Sequence, residues 1–253
     1  LLRSLIVLFY TQTAFKPTIF LLLNPYLRKK RKMLKAVIFD MDGVIINSEP
    51  LHHRAYHAMF DEVGADVSAE LYNSLTGKST LNVCKEIKDL FELPHSPEAL
   101  ATIKRRHYDV IFENDKTFDL IKGVRTLIEH YYEQGLTLVL GSSATMVSIE
   151  RIFKCFDLNP YFKAKLSGAE LKASKPHPEI FIKAAAATGF RPEECIVIED
   201  ATNGIEAAKA AGIFCVAFDS EHSKNQDYSK ADLVINDFEA IHYDLIKEIF
   251  KRV

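Results

Sequence analysis

The 253 residues contain no internal repeat and no low-complexity tract, which sets aside solenoids and linker-like segments. Cysteine is scarce: Cys84, Cys155, Cys195 and Cys215 are all there are. None forms a Cys-x-x-Cys pair, so no thiolate metal knuckle or dithiol centre is expected. A core of this size needs no disulfide staples. Cys195 and Cys215 sit in apolar, strand-like runs and read as buried free thiols, consistent with a reducing, cytosolic compartment. Long hydrophobic runs are missing too. Residues 5–10 and 18–23 are apolar, but Lys16-Pro17 divides them and neither block alone spans a bilayer. Acid is absent from residues 1–32, which carry seven basic residues, five of them consecutive from Arg28 to Lys32. The net charge of −2 therefore leaves the remainder at −9, and an acidic body argues against a nucleic-acid partner. A basic cluster placed after the apolar part fits a cleaved signal peptide poorly. It leaves open a weak membrane anchor on a cytoplasmic body. Met33 stands directly before the first strand, and residues 1–32 read as an appendage outside the fold rather than as an anchor.

What is present, at 48% hydrophobic and 26% charged, suits one large or two modest globular domains. From Met33 onward, strands alternate with helices. Residues 36–39, 137–140, 195–198 and 213–218 are apolar runs suited to strands buried on both faces. Residues 165–166 and 232–235 are shorter candidates. Helical stretches at 124–134, 178–188 and 205–211 each end at a glycine. This alternation predicts a doubly wound parallel α/β sheet with helices on both faces. The segment 49–118 breaks it. That segment is helical throughout, at 50–63, 69–75, 80–91 and 96–112, and is inserted directly after the first strand. It is expected to form an all-helical second domain over the C-terminal strand ends, with residues 33–48 and 119–253 forming the sheet domain.

Four strand ends carry the chemistry. The first strand runs into Asp40-Met41-Asp42-Gly43, whose two carboxylates share one side of the backbone. Such a pair repels and calls for a divalent cation or a proton; the plain reading is an acidic Asp-Gly turn. The second ends in Gly141-Ser142-Ser143. Ser142 Oγ and nearby amides suit an anion, or Ser142 caps a helix starting near Ala144. Lys175, in Ser174-Lys175-Pro176-His177-Pro178, is held in a stiff loop, where an ammonium could neutralise a phosphate and a carboxylate together; the plain reading is a solvated charge, and His177 reads as structural. The fourth end, Glu199-Asp200 before Asn203-Gly204, adds two acids. With the first pair they make an oxygen-rich site of the kind Mg²⁺ prefers; the plain reading is acids complementing a helix dipole.

In that order the four motifs resemble the haloacid dehalogenase superfamily from Met33 to about Val253. Residues 38–54, 174–180 and 199–204 are similar to its β-phosphoglucomutase and sugar-phosphate phosphatase branch. The resemblance implies an Rossmann-like core with a helical cap, and a Mg²⁺-dependent phosphatase acting on a small phosphorylated metabolite, such as a phosphosugar. It implies that Asp40 attacks phosphorus to give an aspartyl-phosphate, with Asp42 as acid and then base. Ser142 and Lys175 would hold the phosphoryl group. Mg²⁺ would be bound by Asp40, the Asp42 carbonyl and Asp200, with Glu199 assisting. Substrate contacts would fall to Gly43, Ser48, His52, Gly77, Lys78, Ser143 and Asn203. Mutases of that branch carry a cap arginine where Thr80 stands, and a lysine where Thr145 stands. Both positive groups are missing, which favours hydrolysis over mutase chemistry, with Lys78 a partial substitute. Asp42 argues against carbon–halogen chemistry. A non-catalytic binding module of the same fold is the third alternative, and a monomer is expected.

Overall fold

In the computed structural model of the protein, residues 33–75, 78–115, 118–220, 223 and 225–251 are described. The expectations for residues 1–32 and for Gly77 lie outside them. The first strand, β1 (Ala36–Phe39), is fully buried. Its side chains alternate between two hydrophobic clusters: Val37 and Phe39 face one, Ala36 and Ile38 the other. An apolar run without polar alternation is therefore what a strand covered on both faces requires. The same division holds for β2 (Thr137–Ser142), β4 (Cys195–Glu199) and β5 (Phe214–Phe218).

With β3 (Phe162–Ser167) and β6 (Leu233–Ile235), these strands form one six-stranded sheet in the order β3-β2-β1-β4-β5-β6. Every pairing is parallel. The chain steps from β1 to β2 on one side and reaches β4 on the other. That reversal opens a crevice beyond the carboxyl ends of the central strands, where open α/β sheets bind ligands.

Helices α5 (Val124–Glu133), α6 (Met146–Cys155) and α9 (Tyr243–Phe250) cover one face through Leu127, Ile128, Ile152, Phe153 and Ile246. Helices α7 (Glu179–Thr188) and α8 (Thr202–Ala210) cover the other through Phe181, Ala184, Ile205 and Ala208. Between β1 and α5 come α1 (Glu49–Val63), α2 (Ala69–Leu75), α3 (Thr80–Leu90) and α4 (Pro97–Asn114). They share a third cluster of their own, built on Met59, Phe60, Tyr72, Val83, Ile87 and Leu100.

The elements that depart most from the sequence expectation are β3, α6 and α9. β3 runs over six residues instead of two, because Lys163 and Lys165 interrupt its apolar character at a sheet edge where one side is solvated. α6 begins at Met146, not near Ala144, and its N-cap is Thr145, whose hydroxyl accepts from the Ser148 amide at 3.3 Å. α9 was not foreseen, since eight residues are too few for a clear helical period. No helix among the described residues is long and apolar enough to cross a membrane.

Candidate active site

β1 delivers Asp40 at its carboxyl end, with the Asp40 amide donating to the Ile198 carbonyl of β4 at 3.0 Å. The backbone then turns tightly. The amides of Ile45 and Ile46 donate to the Met41 carbonyl, and the Gly43 amide to the Ile46 carbonyl at 2.8 Å. Gly43 has φ +80°, and a Cβ there would lie 2.0 Å from Asp200 Oδ2. Only glycine allows this turn to press against the fourth motif. Gly204 does the same from α8, where a Cβ would meet Glu199 Oε1 at 1.6 Å.

Lys175 closes the centre. Its Nζ donates to Asp40 Oδ1 at 2.6 Å and to Glu199 Oε1 at 2.8 Å, and lies 4.7 Å from the centroid of the Phe181 ring. Two facing carboxylates raise the Lys175 pKa despite its burial, so it stays a cation. Glu199 Oε2 accepts from the Ala201 amide at 2.6 Å, which fixes the carboxylate across the start of α8. Asp200 accepts from the Ser223 hydroxyl.

Asp40, Glu199 and Asp200 are all buried, and each offers a carboxylate oxygen within 4.8 Å of the others. Burial pushes Asp40 up to about 7 against the pull of Lys175, with Glu199 and Asp42 adding to the rise. Asp200 is raised well above the ordinary range, first by burial and then by Glu199 and Asp40. One lysine does not offset this much buried negative charge. An all-oxygen donor set short of positive charge suits a hard divalent cation such as Mg²⁺. The carboxylate of Asp42 lies outside that group and accepts instead from Ser48 Oγ. Burial raises its pKa, with the Ser48 bond, Lys175 and Lys104 opposing.

Ser48 directly precedes α1 but does not cap it with its side chain, which is spent on Asp42. His52, one turn into α1, is stacked on Tyr108 at 4.6 Å between centroids, and its Nδ1 lies 2.7 Å from Lys104 Nζ. Burial first and the neighbouring ammonium second bring its pKa down to about 3, so the imidazole is neutral and accepts from Lys104. Burial likewise lowers Lys104 to about 8, opposed by Asp42 and Glu49.

The remaining expectations divide. Strand register places Ser142 at the same sheet end as Asp40, on the neighbouring strand. It is fully buried, and its Oγ accepts from the Ala144 amide at 3.0 Å; it is not the N-cap of α6. Ser143 is exposed beside it, and Asn203 is exposed in the first turn of α8. Lys78 is not drawn to the carboxylates; it donates to Glu86 Oε1 and Oε2 at 2.9 and 2.8 Å. His177 Nδ1 accepts from the Glu179 amide at 3.3 Å.

Sequence reasoning missed Lys104, Glu49, Ser223 and the tight approach of Gly204. The only signal for Lys104 was a lysine in an otherwise mixed helix, which is ordinarily a solvated charge.

The family model "Haloacid dehalogenase-like hydrolase" matches residues 37–218. Among characterised relatives, Hexitol phosphatase B of Escherichia coli K12 is 32% identical over 197 residues, covering 77% of this chain and 87% of that protein. A "Phosphorylated carbohydrates phosphatase" of Thermotoga maritima is 31% identical over 184 residues, covering 71% and 82%. The crystal structure of a β-phosphoglucomutase from Clostridium difficile superposes with a TM-score of 0.73 at 25% identity, covering 87% of this chain and 98% of that one.

Proposed function

The chain belongs to the haloacid dehalogenase-like hydrolases, and from that premise we propose that it is a Mg²⁺-dependent phosphatase releasing phosphate from a small phosphorylated sugar or polyol. The observation that carries the proposal is the unequal treatment of two carboxylates two residues apart. Asp40 is bonded to Lys175 among the buried acids, whereas Asp42 is bonded to Ser48 outside them. A nucleophile must be ionised and held; a general acid must carry a proton that it can give up.

In this reading a carboxylate oxygen of Asp40 attacks phosphorus, and the bond from phosphorus to the ester oxygen breaks. Asp42 donates its proton to that departing oxygen. Asp42, now a carboxylate, takes a proton from water as the water oxygen attacks phosphorus. The acyl-phosphate bond then breaks and returns Asp40. In this reading the Lys175 ammonium, bonded to Asp40, offsets charge on the transferring group, and Ser142, at the same sheet end on the neighbouring strand, helps to hold it. Asp40, Glu199, Asp200 and the Asp42 carbonyl are the groups that would hold Mg²⁺, which when bound offsets charge on the phosphoryl oxygens. The helices α1 to α4, with their separate cluster, act as a cap domain that excludes water.

The likeness to a β-phosphoglucomutase favours a phosphosugar mutase as the second reading. Thr145 caps α6 and Thr80 lines a cavity among α1 to α4, so neither position supplies a cation for a second phosphate. A panel of phosphosugars and polyol phosphates with Mg²⁺, scored for free phosphate and for isomerised product, decides the matter. We expect phosphate. Isomerisation without phosphate release would overturn the hydrolase assignment.

A further inference from the structure

Asp200 meets more than the other acids. The Gly43 turn presses against its carboxylate, and the Ser223 hydroxyl donates to its Oδ2. Ser223 lies 23 positions further along, in the irregular chain between β5 and β6. No helix or strand holds it there, so its place near Asp200 has to come from other contacts.

Those contacts are made by α8. The N-cap of α8 is Ala201, whose side chain has nothing to cap with. Gln226 supplies the acceptor from across the loop. Its Oε1 accepts from the Thr202 amide at 2.9 Å and from the Thr202 hydroxyl at 3.0 Å. The Thr202 hydroxyl in turn accepts from the Asp227 amide at 2.8 Å. Tyr228 packs against the cluster that contains Ile205 and Ala208, and its hydroxyl reaches the Ser223 carbonyl at 3.5 Å. Residues 226–228 are thus pinned to the first turn of α8, and Ser223 is tethered to them.

The result is a strap over the short segment that bears the acids. Glu199 is fixed by the Ala201 amide, Thr202 by Gln226, and the Asp200 carboxylate between them by Ser223. Orientation matters here because buried carboxylates repel one another and gain by turning apart. A hydroxyl donor resists that turn without bringing a charge. A lysine in its place would neutralise the carboxylate and compete with a cation for it.

We propose that Ser223, anchored by Gln226, is a positioning residue for the metal site: it holds Asp200 in the orientation in which it joins Asp40 and Glu199 around a divalent cation. This deepens the phosphatase reading and rests on its assignment of Asp200 as a Mg²⁺ ligand.

The test is calorimetric titration of the metal-free full chain with Mg²⁺, which needs no substrate. Ser223→Ala weakens Mg²⁺ binding by about 10–100-fold. Ser223→Thr keeps the hydroxyl and stays within about threefold of wild type. Gln226→Leu also weakens binding, and adding it to Ser223→Ala costs little further, because both act through one strap. Unchanged affinity in Ser223→Ala, an equal loss in Ser223→Thr, or losses that multiply in full in the double variant overturn the inference. Ser223→Cys, a weaker donor of similar size, replaces Ser223→Ala under the same criterion if the latter fails to fold. If wild type releases phosphate from esters and Ser223→Ala binds Mg²⁺ as wild type does, only the role of Ser223 is lost. If Ser223→Ala weakens binding but wild type hydrolyses no phosphate ester, the strap stands and the phosphatase reading falls. A wild type that binds no Mg²⁺ overturns both.

Discussion

Asp40 and Asp42 are close in the chain but differ in electrostatic surroundings, and the difference is measurable. Asp40→Asn should abolish phosphate release while preserving the fold, since the amide fills the same space. Release that survives this change would refute the covalent mechanism. The raised pKa of Asp40 has a consequence for stability without metal. The unfolded carboxyl ionises near the ordinary value of 3.8 and the folded one near 7. Below both values each state is protonated. Between them the unfolded chain loses its proton first, so stability falls as pH rises through that window. Asp200, raised in the same direction, adds to the fall. The melting temperature of the chelated protein should therefore decline from about pH 4 to about pH 7, and saturating Mg²⁺ should remove most of the decline. A flat profile without metal would show that the acids are not strained by burial. Gly204 gives a third expectation at this scale. A methyl group there collides with Glu199 Oε1, so Gly204→Ala should displace the carboxylate that supports Lys175. A loss of about 10–100-fold in kcat/KM is expected, as for other groups supporting a metal or catalytic ligand.

Among the elements, α7 joins packing and chemistry most directly. Its Phe181 is fully buried, meets the small Gly141 of β2 and lies under the Lys175 ammonium. Truncation to alanine removes a large core side chain and the surface on which Lys175 rests. Phe181→Ala should destabilise the fold by about 3–5 kcal/mol, measured by urea unfolding. It should also lower kcat more than the milder Phe181→Leu. α1 has a comparable double duty: it packs Met59 and Phe60 into the cluster among the inserted helices, while Ser48 before it and His52 within it reach Asp42 and Lys104. The Ser48 hydroxyl at its N-terminus holds the Asp42 carboxylate in place of a helix amide, and the first turn gives up a side-chain cap that is ordinarily worth about 1 kcal/mol.

Across the whole molecule, the three hydrophobic clusters of the described residues draw only on Leu34 to Phe250. Because residues 1–32 read from the sequence as an appendage, protein beginning at Met33 should melt within a few degrees of the full chain and hydrolyse phosphate esters with the same kcat; a large loss of either would assign residues 1–32 a part in the fold. The sheet brings residues distant in sequence to one edge: Asp40 and Lys175 are 135 positions apart, yet they are bonded at 2.6 Å. Such a centre forms only with the tertiary fold, so destabilising changes far from it should reduce activity as well as stability.

The sequence by itself determined the sheet and the roster of its acids. Runs such as Ala-Val-Ile-Phe at 36–39 admit few structures other than a doubly covered strand, and the acids and the serine follow such runs directly. It also marked the helical insert, because no strand run interrupts residues 49–118. It did not determine the extent of the edge strand β3, of which it marked only residues 165–166, nor Lys104, whose burial depends on Tyr56, His52 and Tyr108 closing around it. The tertiary structure alone decided that Lys78 pairs with Glu86, that Ser48 turns from its helix to Asp42, and that Glu49 faces a cavity. The reason is physical. Strand identity is written in local side-chain periodicity, whereas the partner of a charge depends on which distant backbone the fold brings within about 3 Å of it.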